Sequence, residues 1–276
     1  MPELPEVEHV VRALSRAVRG RRILAAELRL PRLLAGSAPA TFKRKLRGAR
    51  IDAISRRGKY ILFELDSGQV LVVHLRMTGK FLAIGPEQPL PPYPHAVFYL
   101  DDDRRLVFCD MRQFGRMRLV KADALSRLPQ IATLAPEPFS EDFSLAYFVK
   151  MLAKSRRSLK QLLLDQTRVL GLGNIYASEA LFLAGINPLK SADTLSKPRA
   201  AKLHQAIRNI LQEAIDAGST LRIDLSDGNG SYFGTTERFW RVYERAGEPC
   251  VNCGTKIRRV VQGGRSTYYC PKCQRY

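Results

Sequence analysis

Residues 51–75 read IDAISRRGKYILFELDSGQVLVVHL, in which three apolar, β-branched runs follow one another with short turns between them. The runs cover 51–54, 60–65 and 70–75, and further runs follow at 96–100, 106–109 and 117–120. Short apolar runs bounded by turn residues such as Asp66-Ser67-Gly68 are typical of consecutive strands. Their spacing predicts an antiparallel β-sandwich in the first half of the chain.

Helical patterns lie on both sides of this region. Apolar residues recur at positions 7, 10, 11, 14 and 18, and Pro5 suits a first helical turn because its missing N–H costs nothing there. After a proline-rich break over 134–142, helical spacing is found at 143–153, 159–164 and 175–184, and Gly185 ends the third run. Asn174 is the expected N-cap of that third helix. A further helix is expected from Lys197 to Gly218.

Four cysteines near the end have the spacing of a zinc site. Cys250, Cys253, Cys270 and Cys273 form C-x2-C, sixteen residues and a second C-x2-C, with a Gly263-Gly264 turn in the intervening hairpin. Two disulfides are the alternative, but they are rare in the cytoplasm. Four thiolates leave no open position, so the zinc is expected to be structural and not catalytic. The fifth cysteine, Cys109, is expected to be a small core residue.

The composition predicts a polyanionic partner. The 276 residues carry 45 Lys and Arg against 26 Asp and Glu, a formal net charge of +19. Nucleic acid fits this excess better than an anionic membrane, because no run approaches the ~18 apolar residues of a spanning helix. No signal peptide is recognised at the start, so we expect a cytoplasmic protein, acting as a monomer on the bacterial nucleoid.

The first residues, MPELPEVE, suggest a nucleophile. If Met1 is removed, Pro2 becomes a free secondary amine, and α-amino groups titrate near about 7.7–8.0. Such an amine can attack a sugar C1′ and form an iminium. Glu3 follows directly and could protonate the ring oxygen. The alternative is that Pro2 only stiffens the chain.

In the order of its motifs the whole chain resembles the bacterial formamidopyrimidine-DNA glycosylases. The resemblance rests on the opening octapeptide, the four cysteines and four internal motifs. These are RGKY at 57–60, HLRMTG at 74–79, DMRQFG at 110–115 and GLGNIYASE at 171–179. It implies an α+β, multidomain fold with an N-terminal antiparallel β-sandwich and flanking helices, followed by a C-terminal helix-two-turn-helix domain with a four-cysteine zinc finger. We therefore expect a catalytic domain at 1–133, a linker at 134–142, a DNA-binding domain at 143–239 and a zinc-finger hairpin at 240–276.

The resemblance also implies an activity. A bifunctional glycosylase and AP lyase would excise 8-oxoguanine and formamidopyrimidines from double-stranded DNA through a Schiff base on Pro2, then cut the strand by β,δ-elimination. It would act on oxidised purine lesions or abasic sites and need no catalytic metal. Glu3, Glu6, Lys59 and Arg265 complete the implied catalytic set, although Lys59 could instead be a plain phosphate contact.

The resemblance implies a set of DNA contacts as well. Met77, Arg112 and Phe114 would fill the space left by an extruded base, although spacing alone would place Met77 and Phe114 in the core. The loop at 226–232, which ends in Tyr232, resembles one that lies near the extruded base, or it is a simple surface loop. The remaining implied contacts are His74, Lys160, Asn174 and Arg265, although His74 could instead be a packing residue.

The chain departs from the family at three positions: Met111, Gln113 and Ser155. The first two stand where relatives often carry proline and a basic residue, and Ser155 stands where a lysine is common. Arg156, Arg157 and Lys160 could replace that last charge.

Three alternative functions remain at this point. One is an endonuclease VIII-like glycosylase for oxidised pyrimidines, and another is a non-catalytic DNA-binding relative. The third is a metal-dependent nuclease built on residues 101–103, although an acidic hairpin turn explains those residues more simply.

Overall fold

The computed structural model describes residues 2–217 and 240–276 in two structural units. The first contains Pro2 and Glu6–Ala132. The second contains Glu3–Pro5, residues 133–217 and residues 240–276. The expected helix end at Gly218 and the loop at 226–232 lie outside the described residues.

The first unit is a sandwich of two four-stranded antiparallel sheets, as predicted. One sheet has the strand order β1-β6-β7-β5 and the other β2-β3-β4-β8. The strands are β1 (Ile23–Leu28), β2 (Ile51–Arg57), β3 (Tyr60–Leu65), β4 (Gln69–His74), β5 (Gly79–Ile84), β6 (Pro94–Leu100), β7 (Arg105–Asp110) and β8 (Arg116–Lys121). The helices numbered with them are α1 (Leu4–Val18), α2 (Pro39–Leu46) and the short α3 (Pro129–Ala132).

The core of this unit lies between the inward faces of the two sheets and one face of α1. Val7, Val10, Leu14 and Val18 are at most 1% exposed, and they pack in one cluster with strand residues such as Phe81. The predicted apolar stripe of the first helix is therefore confirmed. Cys109 is also buried, as expected.

Four elements of this unit were not predicted: β1, α2, β5 and the short α3. In β1 the adjacent Ala25 and Ala26 lie on opposite faces of the sheet and only Ile23 is buried, so the segment shows no apolar run. Strand β5 begins at Gly79, inside the HLRMTG motif. Turn residues at 101–103 form a hairpin in which Asp102 pairs with Arg104 and Arg21. The acidic hairpin turn is thus the correct interpretation of that segment.

The second unit is helical, with a small β-hairpin near its end. Its helices are α4 (Leu145–Ala153), α5 (Leu159–Leu163), α6 (Asn174–Ala184) and α7 (Lys197–Asp216), and its strands are β9 (Arg258–Gln262) and β10 (Arg265–Tyr269). Gly263 and Gly264 form the predicted two-residue turn, with φ of +54° and +74°. Gly185 ends α6 in the left-handed region at φ +67°, also as predicted.

The expected N-cap of α6 was wrong by one position. Gly173 is the N-cap and Asn174 is the first helical residue. The capping oxygens come from the Glu3 carboxylate, about 170 residues away in sequence, so no local side chain has to cap this helix. A local pattern could not show this.

Among the described residues, no helix has the length and the apolar content to cross a membrane.

Candidate active site and nucleic-acid interface

The carboxylate of Glu3 sits at the N-terminus of α6. It is 2% exposed and accepts hydrogen bonds from the backbone N–H groups of Gly173, Ile175 and Tyr176, at 2.5, 2.9 and 3.2 Å. Free N–H groups and the helix dipole both favour a negative charge at this end of a helix. These three backbone N–H groups therefore hold Glu3 in one orientation.

Two glycines make room for the segment that carries Glu3. A Cβ on Gly173 would lie 2.4 Å from Glu3 Cδ, and one on Gly171 would lie 2.5 Å from Leu4 Cδ1. Gly171 also has φ +88°, and its carbonyl accepts a hydrogen bond from the Leu4 N–H at 3.0 Å. The glycine pattern at 171–173 thus serves close backbone approach to residues 3 and 4.

Lys160 lies beneath the start of the same helix. Its side chain is buried, and its ammonium donates to the Asn174 carbonyl at 2.8 Å and to the Ser178 hydroxyl. Burial, opposed by the charges of Glu3 and Glu179 and assisted by that of Arg265, lowers the pKa of Lys160 to about 7. Lys160 therefore changes charge near neutral pH.

Asn174 links α6 to the finger hairpin. Its side-chain amide donates to the Ser266 carbonyl at 2.9 Å, next to the exposed Arg265 at the start of β10. Arg265 also lines an open cleft of about 260 Å³ together with Arg157 and Gln262. A side chain of α6 is thus bound to the backbone of β10 in the second unit.

In the first unit, Lys59 and His74 lie at the same end of the β3–β4 pair. Lys59 is 4% exposed in the turn before Tyr60, and Tyr60 pairs in register with His74, ring to ring at 4.7 Å. Burial, assisted by the charges of Arg76 and Lys59, lowers the pKa of His74 to about 3. His74 is therefore neutral, and its Nδ1 accepts the Arg76 N–H at 3.0 Å.

Met77 and Phe114 project into solvent. They are 40% and 49% exposed, so the core interpretation from spacing alone was wrong. The Arg112 guanidinium lies over the Phe114 ring, 5.1 Å from its centre. With Arg76 and Arg116, the two apolar side chains line an open cleft of about 320 Å³.

Pro2 and Glu6 flank the start of α1. Pro2 is buried and stands just before the helix, whereas Glu6 is half-buried in its first turn. Glu8, two residues further on, pairs with Arg12 at 2.9 Å and with Arg56 at 3.1 Å. Those ion pairs give Glu8 a structural role.

The four cysteines meet at one end of the finger. Their sulfur atoms all lie within 4.8 Å of one another, with Cys250 and Cys273 at 3.8 Å and Cys253 and Cys270 at 3.5 Å. A tetrahedral zinc with Zn–S bonds of about 2.3 Å separates its sulfurs by about 3.8 Å. The donor set and its spacing therefore fit one structural zinc ion. No other group of this kind occurs among residues 2–217 and 240–276.

Three family profiles match successive parts of the chain. The "Formamidopyrimidine-DNA glycosylase N-terminal domain" matches residues 1–117, and the "Formamidopyrimidine-DNA glycosylase H2TH domain" matches residues 134–224. The "Zinc finger found in FPG and IleRS" matches residues 247–275. The last match covers all four cysteines, and it identifies their cluster as a zinc finger.

Relatives match over the full length. The formamidopyrimidine-DNA glycosylase of Heliobacterium modesticaldum is 45% identical over 278 residues, which cover 100% of both chains. The chain belongs to the formamidopyrimidine-DNA glycosylase family. Another member, from Bacillus subtilis, is 46% identical over 277 residues and 99% of each chain.

Solved structures of formamidopyrimidine-DNA glycosylases share the fold. The Lactococcus lactis enzyme in complex with DNA containing an abasic site superposes with a TM-score of 0.91 at 37% identity, covering 99% of this chain and 100% of that one. Its complex with DNA containing Fapy-dG gives the same TM-score at 36% identity, with the same coverage. In both structures the Lactococcus lactis protein is bound to DNA that carries a lesion.

The family's implied site residues fall into groups within each unit. In the second unit Glu3, Lys160 and Asn174 meet at the start of α6, and Arg265 lies on the adjoining hairpin. In the first unit Lys59 and His74 form one group, and Met77, Arg112 and Phe114 another. Tyr232 lies outside the described residues. The roles of all these residues stay predictions.

Glu179, the last residue of the GLGNIYASE motif, was not predicted to have a role. Glu179 is 0% exposed, and its carboxylate accepts the backbone N–H groups of Arg241, Val242 and Tyr243 at 2.9–3.0 Å. It holds the segment that leads into the finger. An acidic residue in a helix gives no local signal of burial, so only the tertiary contacts reveal it.

The three positions that depart from the family pattern differ in their exposure and in their hydrogen-bond partners. Gln113 adopts φ +57°, and its side-chain carbonyl accepts a hydrogen bond from the guanidinium of Arg32. Met111 is 58% exposed. Of the charges that could replace a lysine at position 155, Arg157 is paired with Asp165 and Lys160 is buried. Arg156 has the most exposed side chain of the three, at 96%, and its Nε lies 3.9 Å from the Asp193 carboxylate.

Proposed function

We propose that this chain excises oxidised purines from duplex DNA and then cuts the strand at the abasic site, as a bifunctional DNA glycosylase and AP lyase. Family membership supports the reaction class. The observation that carries the proposal is the Glu3 carboxylate, which follows Pro2 directly and is fixed by three backbone N–H groups at the start of α6. An acid held this firmly next to a terminal amine suits sugar chemistry.

Pro2 is the proposed nucleophile once Met1 is removed. Its nitrogen forms a bond to C1′ as the bond from C1′ to the damaged base breaks, and opening of the sugar ring leaves an iminium. The iminium acidifies the C2′ hydrogens, so the 3′ phosphate leaves by β-elimination. The 5′ phosphate then leaves by δ-elimination, which completes the cut on both sides.

Glu3 is the proposed proton carrier between the Pro2 amine and the ring oxygen O4′: its carboxylate accepts the proton that the amine nitrogen loses on bonding to C1′ and delivers it to O4′ as the ring opens. Glu6, in the first turn of α1, helps to hold the site, and Lys59 faces the damaged nucleotide. Because burial and the Arg76 charge keep His74 neutral, we assign His74 to the DNA backbone as an uncharged hydrogen-bonding group.

Base extrusion is assigned to Met77, Arg112 and Phe114. Extrusion costs a few kcal/mol of unstacking and unpairing, and filling the vacated space offsets part of that cost. The exposure of Met77 and Phe114 supports this role. Arg112 offers a fork of N–H donors that suits the acceptors of an orphaned cytosine.

The second unit is proposed to bind a DNA phosphate through three residues: Asn174, Lys160 and Arg265. The structural zinc holds the finger in shape. Arg265 is exposed on the hairpin and precedes Ser266, whose carbonyl binds the Asn174 amide, and this supports a shared phosphate site. Lys160 is buried, and it supports the phosphate site by positioning Asn174, because its ammonium donates to the Asn174 carbonyl. The net charge of +19 also supports a location on the bacterial nucleoid.

Borohydride trapping tests the nucleophile. Reduction during reaction with an oligonucleotide that contains 8-oxoguanine opposite cytosine should give a covalent conjugate, and mass spectrometry should place the crosslink on Pro2. Pro2→Gly should reduce trapping strongly. A crosslink on an internal lysine would refute the assignment, and DNA binding without any conjugate would indicate a non-catalytic relative.

A substrate comparison tests the lesion class. We expect the fastest excision for 8-oxoguanine opposite cytosine among duplexes that carry 8-oxoguanine or thymine glycol, each opposite cytosine or adenine. Equal or faster excision of thymine glycol would favour the endonuclease VIII-like alternative. Activity that persists in EDTA while the finger keeps its zinc would separate this enzyme from a metal-dependent nuclease.

A further inference from the structure

A buried carboxylate that the proposed mechanism does not use lies at the base of the loop carrying Arg112 and Phe114. Asp110 is 1% exposed at the end of β7. Its Oδ2 accepts the Gly115 N–H at 2.7 Å, and its Oδ1 accepts the Thr78 hydroxyl. Burying a carboxylate is costly unless hydrogen bonds compensate it, so these two donors are tightly held.

Thr78 belongs to the other exposed loop, immediately after Met77. Its hydroxyl donates to Asp110, and its oxygen accepts the backbone N–H of Arg112 at 3.1 Å. The directions of these bonds are consistent: Arg112 N–H to Thr78 hydroxyl, and Thr78 hydroxyl to the carboxylate. A hydroxyl polarised by a carboxylate is a better acceptor, so each bond in this chain strengthens the other.

The backbone around Asp110 is fixed as well. The Nε2 of the buried His95 lies 2.7 Å from the Asp110 carbonyl, and the Asp110 N–H donates to the Tyr93 carbonyl at 3.2 Å. A Cβ on Gly79 or Gly115 would lie 2.9 or 2.6 Å from the Phe108 ring. The bases of both loops are therefore closely packed, whereas their tips are exposed.

We propose that Asp110 and Thr78 are positioning residues that hold the Met77 loop and the Arg112–Phe114 loop as one rigid device for base displacement. This inference rests on the proposed glycosylase function. Thr78 sets the backbone position of Arg112 through its N–H, and Asp110 sets Thr78 and the end of the Phe114 loop. Preorganised loops lose less conformational entropy when they enter the duplex.

The role predicts a split between substrates. Excision from a duplex requires a base to be displaced and its partner to be held by Arg112. An abasic site in single-stranded DNA has no partner base and no stacked duplex to fill. Loss of the Thr78 hydroxyl should therefore slow the first reaction and leave Schiff-base formation on the second unchanged.

The test compares Thr78→Val, which keeps the shape and removes the hydroxyl, with Thr78→Ser, which keeps the hydroxyl. Thr78→Val should lower single-turnover excision of 8-oxoguanine opposite cytosine by roughly tenfold or more, as expected for a lost hydrogen bond to a charged group. The preference for cytosine over adenine opposite the lesion should fall towards unity. Thr78→Ser should restore both quantities, and all variants should trap equally on single-stranded abasic DNA.

Asp110→Asn, alone and combined with Arg112→Ala, keeps the test decisive if Thr78→Val does not fold. Asp110→Asn keeps the side-chain shape but removes the charge, and it should reduce the duplex reaction and the opposite-base preference in the same way. Combining Thr78→Val or Asp110→Asn with Arg112→Ala should give no loss of opposite-base preference beyond that of Arg112→Ala alone.

Two results would overturn the inference. One is an unchanged duplex rate and opposite-base preference in Thr78→Val and Asp110→Asn. The other is an equal loss on single-stranded abasic DNA, which would indicate general damage to the fold. Failure of the unmodified protein to excise 8-oxoguanine would instead contradict the proposed function, and the two failures are therefore distinguishable.

Discussion

Glu3 and Gly173 depend on each other more closely than any local pattern shows. The backbone of Gly173 is extended, at φ −127° and ψ −153°, a conformation open to any residue. Glycine is needed there for space alone, because the Glu3 carboxyl group occupies the position of a side chain. A substitution at this position therefore tests the Glu3 site without adding backbone strain.

Gly173→Ala should destabilise the protein by about 1–3 kcal/mol, as overpacking does in a closed site. It should also reduce borohydride trapping, because Glu3 must move. Thermal unfolding and trapping measure the two effects. Gly85→Ala is a matched control, since its Cβ would meet Gln88 at an ordinary 3.6 Å. Equal melting and trapping in Gly173→Ala and the unmodified protein would contradict the observed geometry.

Lys160 makes stability depend on pH. Its pKa falls from its ordinary 10.5 to about 7 in the folded protein, so the unfolded chain binds more protons between those values. Stability contributed by this group therefore rises as the pH increases from about 7 to about 10. Melting of the unmodified protein against Lys160→Met should show a difference that grows in this direction. A difference that is constant with pH would show that Lys160 keeps its charge on folding.

At the scale of elements, α6 organises much of the second unit. Its first turn binds the Glu3 carboxylate, Asn174 reaches the finger hairpin, and Glu179 holds the segment before the finger. Helix α6 and its stop at Gly185 were predictable, because their pattern is local. The groups that bind to the helix were not, because they come from residues 60 to 170 positions away.

Strand prediction succeeded where apolar runs were continuous, as in β3 and β4, and failed at β1 and β5. In β1 only Ile23 is buried, and the other five positions are exposed or intermediate. Such a strand owes its position to pairing with β6 and not to its own pattern. The start of β5 is fixed by the close packing of Gly79 against Phe108.

The zinc finger should lose its shape when one ligand is removed. Cys250→Ser should lower the zinc content below one ion per chain and weaken binding to lesion DNA by roughly tenfold or more, since the hairpin no longer presents Arg265. Metal analysis and a DNA titration measure these effects. Cys109→Ala removes the cysteine outside the cluster and should keep the zinc. Full affinity in Cys250→Ser would exclude the finger from the DNA interface.

At the scale of the whole molecule, the excess of positive charge should make DNA binding steeply dependent on salt. The logarithm of the binding constant falls with the logarithm of salt concentration by about 0.9 for each phosphate neutralised. Arg265→Ala should reduce this slope by about one. Arg21→Ala should leave it unchanged, because Arg21 already pairs with Asp101 and Asp102. An unchanged slope for Arg265→Ala would remove Arg265 from the phosphate contacts.

The sequence by itself determined the two-part architecture, the zinc site and the family, because each depends on local periodicity or on fixed spacing. Only the tertiary structure decided how the side chains are used. It placed Glu3 at the N-terminus of α6 and joined Thr78 to Asp110. It also left Met77 and Phe114 exposed, and it buried Lys160 and Glu179. Burial and hydrogen bonding between residues distant in sequence depend on which surfaces meet in the fold, and local sequence patterns do not encode that.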